Sequence, residues 1–268
     1  MKPIFFTKME GSGNDFLIID NYNGLINETL TAPEIPGLVK KIANRNLGAG
    51  ADGVLFVEQS KDFAFGMKYF NRDGSEAEIC LNGARCIVSF AHRLGLIQEK
   101  GKFLSASGPL GFYYKNGNVS IEVQPPVEIK LNFSFTMKRK KYRANFLKLG
   151  VPHCVIFVDS YEKIDVKELG REIRNHRTFK PDGVNVNFVK VENNNSLFIR
   201  TYERGVEDET LSCGSGVLAS AYIATKLFLT ESPVTCKTQG GDLLVTIKDK
   251  LYLEGPARVV YDGVYYIE

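Results

Sequence analysis

The sequence predicts an α+β fold, within the wider α/β class, made of two similar halves that are related by a pseudo-twofold axis. Three observations lead to this prediction. The 268 residues suffice for two domains of about 130 residues each. Residues 133 positions apart repeatedly match, and each of two cysteines precedes a helix without a polar face. Because such helices are buried on all sides, we expect each half to be a mainly antiparallel sheet wrapped around a central helix.

The repeat is visible at one fixed offset. Cys80 lies 133 positions before Cys213. The same offset aligns Tyr69 with Tyr202, Glu76 with Glu209, Gly83 with Gly216, Ala91 with Ala224, Leu94 with Leu227, Gly108 with Gly241, Leu110 with Leu243 and Lys115 with Lys248. Identities spread in this way indicate gene duplication. We therefore expect one domain at 1–125, completed by 258–268, and a second at 126–257, with the boundary at Pro125-Pro126.

Each half shows the same order of elements. Alternating or continuously apolar runs predict strands at 53–59, 65–70, 185–192 and 196–203. A helix follows each of the two cysteines, and segments 31–46 and 165–177 have the pattern of outer amphipathic helices. After the first central helix, Asn116-Gly117 predicts a two-residue hairpin turn, and residues 243–255 form its counterpart in the second half.

The composition excludes several classes of protein. A net charge of +3 is too small to predict nucleic-acid binding, and the basic run at 138–141 is interpreted as an exposed hairpin tip. The first residues lack the apolar core of a signal peptide, and no apolar run approaches the ~18 residues of a membrane span. The five cysteines are an odd number, which favours reduced thiols. We expect a cytoplasmic protein that binds neither nucleic acid nor membrane.

The position of the two cysteines predicts a particular chemistry. A cysteine at a helix start lies beside unpaired backbone N–H groups and the positive end of the helix dipole. Both stabilise the thiolate and lower a thiol pKa that is ordinarily about 8.5. The same N–H groups can hold a carboxylate. Two facing halves would thus suit inversion at a carbon that bears a carboxylate, with one thiolate removing the α-proton and the opposite thiol returning one. Either thiol can act as the base, and no pyridoxal phosphate or other cofactor is required.

Other interpretations of the cysteines stay open at this point. A cysteine before a helix is commonly a small buried hydrophobe, the role that we assign to Cys86, Cys154 and Cys236. Cys80, Cys86 and His92 are evenly spaced, but the spacing does not suit zinc and no fourth ligand is near, so we expect no metal. Two facing thiols could also form a redox switch, and the halves could bind an amino acid without catalysis.

Five stretches of the chain carry a resemblance to a known family. They are GSGNDF at 11–16, GADGV at 50–54, FNRDGSEAEICLNGARC at 70–86, GVNVNF at 183–188 and YERGVEDETLSCGSG at 202–216. They resemble motifs of the diaminopimelate epimerase family, the pyridoxal-independent epimerases of lysine and cell-wall synthesis. The resemblance covers essentially the whole chain, and its two cysteine motifs are the specific part. It implies two domains that close over the substrate, the interconversion of LL- and meso-diaminopimelate, and a homodimer.

The resemblance also implies a set of site residues. Cys80 and Cys213 become the catalytic pair. The substrate pocket would be lined by Asn14, Asn71, Leu81, Asn82, Gly83, Asn185, Glu203, Arg204, Gly214 and Ser215. These types suit a diamino-dicarboxylate, because Arg204 can grip a distant carboxylate with two hydrogen bonds and Glu203 can accept from an ammonium group. The asparagines could instead serve turns, and Glu203 and Arg204 could form a surface ion pair.

Three departures from the family pattern bear on the substrate. Leu81 stands where the family usually has glycine after the first cysteine, and Val151 stands where it commonly has an asparagine that holds the distal end of the substrate. The stretch GVEDET at 205–210 is one residue longer than the commoner form. These departures leave open a racemase of another amino acid, such as histidine or lysine. The isomerase branch of the same fold generally lacks both cysteines and is therefore disfavoured.

Overall fold

The structure, a computed structural model, describes residues 2–267 and divides into two compact units. Unit 1 runs up to Glu122 and resumes at Gly255, and unit 2 is Val123–Glu254. The predicted domains, 1–125 with 258–268 and 126–257, have boundaries within a few residues of these divisions and stay a prediction. No helix within residues 2–267 is long and apolar enough to cross a membrane.

The described chain consists mostly of strands, with five α-helices placed between groups of strands. In chain order they are β1 Lys2–Gly11, β2 Asn14–Asn21, α1 Leu25–Thr29, α2 Ile35–Ile42, β3 Gly53–Glu58, β4 Gly66–Asn71, β5 Glu76–Ala77, α3 Leu81–Arg93, β6 Lys100–Ser105, β7 Gly108–Lys115, β8 Asn118–Val123, β9 Glu128–Met137, β10 Lys140–Leu149, β11 Val151–Phe157, α4 Val166–Arg174, β12 Asn185–Asn193, β13 Ser196–Glu203, β14 Asp208–Thr210, α5 Gly214–Lys226, β15 Val234–Thr238, β16 Gly241–Ile247, β17 Leu251–Pro256 and β18 Arg258–Ile267. Short 3-10 turns at Ala32–Glu34 and Arg177–Phe179 complete the list.

Unit 1 is a mainly antiparallel sheet with a helix buried against it. Its strand order is β18-β1-β2-β3-β4-β6-β7-β8, with β5 also pairing to β4; only β2–β3 and β4–β6 are parallel. Helix α3 packs on β1, β2, β3 and β7. Every residue from Asn82 to Val88 is buried. Because this run covers nearly two helical turns, all sides of the helix are covered, as predicted.

Unit 2 repeats this arrangement. Its strand order is β9-β10-β11-β12-β13-β15-β16-β17, with β14 on β13, and the parallel pairs are β11–β12 and β13–β15. Helix α5 has 13 residues, like α3, and starts 133 positions after it. It is also buried and packs on six strands of its unit, from β10 to β16. The predicted α+β fold of two similar halves is confirmed.

The two outer helices are shorter than the sequence pattern predicts. The helix predicted at 31–46 is α2, Ile35–Ile42, which follows the 3-10 turn. It ends early because the Asn44 side chain accepts hydrogen bonds from the backbone N–H groups of Asn46 and Leu47, each at 2.9 Å, and so competes with helical bonding. The helix predicted at 165–177 is α4, Val166–Arg174, and the Asp165 carboxylate caps its start.

The predicted turns are confirmed. Asn116 and Gly117 join β7 to β8 with φ values of 50° and 81°, the left-handed pair that a two-residue hairpin turn requires. Lys138 and Arg139 join β9 to β10 in the same way, with φ values of 48° and 65°, and both side chains are exposed. The basic run is therefore a solvated hairpin tip.

The three cysteines that the sequence assigns to the core lie there. Cys86, Cys154 and Cys236 are free thiols and fully buried. Burial raises the pKa of each far above its ordinary value, so all three stay protonated. They are therefore inert as acid–base groups near neutral pH.

Candidate active site

Cys80 and Cys213 are the N-cap residues of the two central helices. Both have extended backbones, with φ and ψ of −123° and 122° at Cys80 and −114° and 108° at Cys213. Their carbonyls accept the first helical hydrogen bonds, from Ala84 N–H at 2.7 Å and Val217 N–H at 2.8 Å. The thiols thus sit at the positive ends of α3 and α5, where the first backbone N–H groups have no partner inside the helix.

In unit 1 the Cys80 thiol lies in a hydrogen-bonded cluster centred on Asn14. The thiol donates to Asn14 Oδ1 at 3.6 Å, and Asn82 Nδ2 donates to the same oxygen at 3.4 Å. On its other side, Asn14 Nδ2 donates to Asp52 Oδ2 at 2.6 Å. Because an ionised carboxylate only accepts, Asp52 determines which way the amide points. Asp52 therefore aims the Asn14 oxygen at the thiol.

Asp52 is in turn fixed by a charged network. Arg45 Nη2 lies 2.7 Å from both Asp52 Oδ1 and Asp15 Oδ1, and Lys8 Nζ lies 2.8 Å from Asp15 Oδ2. Burial tends to raise the pKa of Asp15, but hydrogen bonds from Arg45 and Lys8 outweigh it and lower that pKa to about 2. Asp15 and Arg45 thus stay ionised at neutral pH, and the network holds the strand start that carries Asn14.

One cationic side chain is buried beside the same cluster. Arg85, in the second turn of α3, is 0% exposed. Its Nη2 donates to Ser12 Oγ at 2.8 Å and its Nη1 donates to the Leu81 carbonyl at 3.5 Å. Its Nε has no hydrogen-bond partner among residues 2–267. Desolvation lowers the pKa of this guanidinium.

In unit 2 the Cys213 thiol is nearly buried, at 4% exposure, and its Sγ lies 3.5 Å from Ser215 Oγ. The start of α5 is pressed against β12, because a Cβ at Gly216 would lie 2.3 Å from Asn187 Oδ1. Asn187 is held in turn by a bond from Thr201 Oγ1 at 2.9 Å and a bond to the Cys154 carbonyl at 3.2 Å. A glycine at 216 therefore lets this polar side chain support the turn that carries Cys213.

A neutral histidine lies next to Asn187 in unit 2. His153 on β11 is fully buried, and burial, with the nearby charge of Arg204, lowers its pKa to about 3. Its Nδ1 is 3.4 Å from Asn187 Nδ2, and within the described part of the chain its Nε2 has no hydrogen-bond partner. His153 pairs in parallel register with Asn185 on β12. Near neutral pH the ring carries no charge.

Arg204 is oriented by Asn185 on β12 and by Asp182 in the turn before that strand. The Asn185 side-chain oxygen accepts from Arg204 N–H at 2.7 Å, and the Arg204 guanidinium donates to the Asp182 carbonyl at 3.1 Å. Glu203, at the end of β13, and Arg204 are both half-buried. Two predicted residues thus come together here, Asn185 and Arg204, as Asn14, Cys80 and Asn82 do in unit 1.

The remaining predicted residues have more local surroundings. The Asn71 amide is engaged in its own turn, accepting from Tyr69 Oη at 3.0 Å and donating to Ser75 Oγ at 3.1 Å. Gly83 allows α3 to approach Phe16, whose ring would be 3.3 Å from a Cβ. Leu81 and Val151, two of the three departures from the family pattern, are half-buried at the starts of α3 and β11.

Several residues that shape these clusters were missed at the sequence level. Asp52 and Arg85 lie inside the quoted motifs and His153 lies two residues after Val151, yet their burial and partners depend on contacts far along the chain. No group of three or more His, Cys, Asp or Glu side chains in the described chain is arranged to hold a metal ion. His92, considered above with Cys80 and Cys86, stacks on Tyr114 with ring centres 3.9 Å apart.

Comparison with known protein sequences identifies the family of this chain. A sequence model described as diaminopimelate epimerase matches residues 6–127 and 146–260. A protein of Methanocella arvoryzae named diaminopimelate epimerase is 41% identical over 276 residues, spanning 98% of this chain and 97% of its own length. Proteins with the same name from Archaeoglobus fulgidus and a Hydrogenobaculum species are 40% and 38% identical, each spanning 97% of this chain and 96% and 98% of their own lengths.

Solved structures share the fold at much lower identity. A phenazine biosynthesis protein of the PhzF family from Bacillus anthracis superposes with a TM-score of 0.75 at 17% identity, over 100% of both chains. A probable proline racemase from Agrobacterium radiobacter, with bound carbonate, superposes with a TM-score of 0.71 at 10% identity, over 99% of this chain and 93% of its own. These two likenesses establish the architecture alone.

Proposed function

Because this chain belongs to the diaminopimelate epimerase family, we propose that Cys80 and Cys213 are the acid–base pair of its reaction. The protein is an isomerase, an epimerase that interconverts LL- and meso-diaminopimelate. The observation that supports the proposed pair is the repeat itself. Each cysteine caps a buried 13-residue helix at the same position of a repeated unit, and the other three cysteines are fully buried.

The proposed reaction exchanges one proton on each face of the α-carbon. A thiolate takes the α-proton, breaking the C–H bond and forming S–H, and leaves the electron pair on the carbon. A thiol on the opposite face then donates its proton to that carbon and becomes the thiolate. Positioned acid–base groups supply about 10²–10⁴-fold of the rate. We assign the larger share to backbone N–H groups at the helix starts, which stabilise the developing negative charge.

The proposed substrate contacts follow the chemistry of each side chain. Gly214 and Ser215 donate to the carboxylate at the reacting carbon, together with N–H groups of Leu81, Asn82 and Gly83. Arg204 binds the distal carboxylate, and Glu203 accepts from an ammonium group. Asn14, Asn71 and Asn185 supply further amide contacts. The orientation of Arg204 by Asn185 and Asp182 supports its part in this scheme.

We also propose the setting in which the enzyme works. Its product serves lysine and peptidoglycan precursor synthesis in the cytoplasm, where thiols stay reduced, and it acts on a free amino acid without a bound cofactor. We propose a homodimer, supported by a row of exposed apolar side chains on one edge of unit 1. The row comprises Phe5, Val259, Val260, Tyr261, Val264 and Tyr266.

A deuterium-exchange assay tests the substrate. The purified protein is incubated in deuterium oxide with LL-diaminopimelate, lysine and histidine, and loss of the α-proton signal is followed by NMR. We expect exchange with diaminopimelate. Exchange with lysine or histidine alone would instead support the racemase alternative, which the apolar side chain of Val151 favours.

Single substitutions test the two thiols. Cys80→Ser and Cys213→Ser should each reduce epimerisation by at least about 100-fold, because a hydroxyl is a far weaker acid–base group at neutral pH. Cys86→Ser is the matched control, since it alters a buried thiol in the same motif, and the folded variant should keep the wild-type rate. Full activity in either of the first two variants would contradict the assigned pair.

A further inference from the structure

Arg85 is a cation buried without an anionic partner. Its guanidinium is 0% exposed, and the described bonds go to a hydroxyl and a carbonyl, not to a carboxylate. A buried charge without an ion pair is unfavourable for folding. A side chain of this kind is therefore a candidate for function, and it lies beside a proposed catalytic group.

Arg85 and Cys80 are anchored to the same short turn between β1 and β2. Ser12 accepts from Arg85 at 2.8 Å, and Asn14, two residues later, accepts from the Cys80 thiol at 3.6 Å. Gly11 at the end of β1 leaves room for the guanidinium, because a Cβ there would be 3.4 Å from Arg85 Nη2 and 3.2 Å from Cys86 Sγ. The charge is thus held in a defined place next to the N-cap.

The charges of Arg85 and Cys80 interact. Burial lowers the pKa of the Arg85 guanidinium, and a negative charge on Cys80 acts in the opposite direction by favouring the protonated form. The same attraction, taken from the other side, favours the thiolate at Cys80, whereas the Asn14 oxygen, which accepts from the thiol at 3.6 Å, favours the protonated form. Arg85 itself remains protonated at every pH at which the enzyme would work.

The second unit lacks this cation. The residue at the equivalent position of α5, 133 places along, is Leu218, which is also 0% exposed. The two N-caps have matching backbones, so the helix dipole acts on both thiols alike. The two halves therefore differ at this repeated position, where α3 has a buried guanidinium and α5 has an apolar side chain.

The other charged groups around α3 are largely compensated. Glu10 on β1 also interacts with Arg85, but it lies 3.3 Å from Arg258 and accepts from Gly13 N–H at 3.1 Å. Lys8, Asp15, Arg45 and Asp52 from β1, β2 and the loop before β3 form their own ion network. Arg93 at the end of α3 pairs with Asp262 on β18. Cys86 stays a neutral thiol.

We propose that Arg85 is a positioning residue that outweighs the Asn14 bond and favours the thiolate at Cys80, so that the two thiols of the epimerase differ in proton affinity. This inference rests on the proposed function only in taking Cys80 as an acid–base group. Arg85 thus makes the two otherwise similar halves differ in the proton affinity of their thiols. The direction of epimerisation that starts from the Cys80 thiolate begins with its base already ionised.

The test measures the pH midpoint of alkylation at each cysteine. Wild-type protein is treated with iodoacetamide from pH 5 to 10, and the Cys80 and Cys213 peptides are quantified by mass spectrometry. The Cys80 midpoint should lie below that of Cys213. In Arg85→Met it should rise by about one to three pH units, which slows Cys80 alkylation by up to about tenfold per unit at a pH below both midpoints, and the Cys213 midpoint should not change. Arg85→Lys keeps the positive charge, so its Cys80 midpoint should stay close to that of the wild type.

Leu218→Met is the matched control at the repeated position and should move neither midpoint. Thermal unfolding establishes that each variant is folded. An unchanged Cys80 midpoint in folded Arg85→Met would overturn the inference, as would an equal shift at both cysteines. If Arg85→Met does not fold, a wild-type Cys80 midpoint at or above that of Cys213 overturns it without any variant. Failure of α-proton exchange with diaminopimelate would instead contradict the proposed function and leave the thiol titration intact.

Discussion

At the scale of single residues, the environment of Cys80 depends on how one amide is oriented. Asn14 bridges the Asp52 carboxylate and the thiol, with its nitrogen 2.6 Å from the former and its oxygen 3.6 Å from the latter. The sequence predicts Asn14 as a site residue by resemblance, whereas it assigns no role to Asp52. The carboxylate never needs to touch a substrate to matter, because it decides which end of the amide meets the sulfur.

Replacing Asp52 should therefore impair catalysis through Asn14. In Asp52→Ala the amide loses its fixed acceptor and can rotate, which removes a hydrogen bond to a charged group. Such bonds contribute about 1.5–3 kcal/mol, so we expect kcat to fall about 10- to 100-fold. Steady-state epimerisation measures this. Asp249→Ala, at an exposed position of unit 2, is the control and should retain the wild-type kcat. Unchanged kcat in Asp52→Ala would show that the orientation of Asn14 is immaterial.

At the scale of elements, the starts of α3 and α5 depend on glycines that admit close contacts. Gly83 and Gly216 occupy equivalent positions, one against the Phe16 ring and the other against the Asn187 amide. The closer approach is at Gly216, where a Cβ would be 2.3 Å from Asn187 Oδ1. Neither glycine has a left-handed backbone, so space and not conformation explains the residue type.

Gly216→Ala should consequently destabilise the protein. The added methyl group must displace Asn187 from its bonds with Thr201 and the Cys154 carbonyl, and overpacking of this kind costs about 1–3 kcal/mol. Denaturant unfolding gives the change in free energy. Gly37→Ala is the matched control, because a Cβ at Gly37 in α2 meets nothing within 4 Å, and it should be neutral or stabilising. Equal stability of Gly216→Ala and wild type would contradict this account of α5.

At the scale of the whole molecule, the two units share a strand order but differ in how the chain supplies it. In unit 2 the strand beside β10 is β9, its immediate predecessor. In unit 1 the strand beside β1 is β18, from residues far along the sequence. Phe5 on β1 pairs with Val264 on β18, and both side chains are exposed although apolar. This edge supports the proposed homodimer, because contiguous exposed apolar side chains mark association surfaces.

A charge at this edge should separate the proposed dimer. Burying an unpaired carboxylate between two subunits is strongly unfavourable, so Val264→Asp should convert the dimer to monomers at micromolar concentration. Sedimentation equilibrium measures the mass. Val206→Asp alters another exposed valine, which belongs to unit 2, and should leave the mass unchanged. A monomeric wild type, or a dimer that withstands Val264→Asp, would remove the proposed surface.

The sequence by itself determined the features that nearby residues encode. Hydrophobic periodicity predicts the strands, Asn116-Gly117 sets its turn, and the repeat predicts two helices that each follow a cysteine. The outer helices were predicted too long, since an asparagine that bonds its own backbone ends α2 before the amphipathic pattern stops. Motif resemblance supplied the family and the candidate residues.

Only the tertiary structure decided which side chains meet from distant parts of the chain. Asp52 reaches Asn14 across 38 positions and Arg85 reaches Ser12 across 73. The apolar pattern predicts that the helix after Cys80 is buried on all sides, but an arginine in a helix is ordinarily exposed, and the pattern does not identify the partners of Arg85. Its burial follows from covering α3 on every side by one sheet, which forces even a charged residue inward. Local patterns fix backbone elements through short-range sterics and hydrogen bonds, whereas the charge next to a thiol depends on the packing of the complete unit.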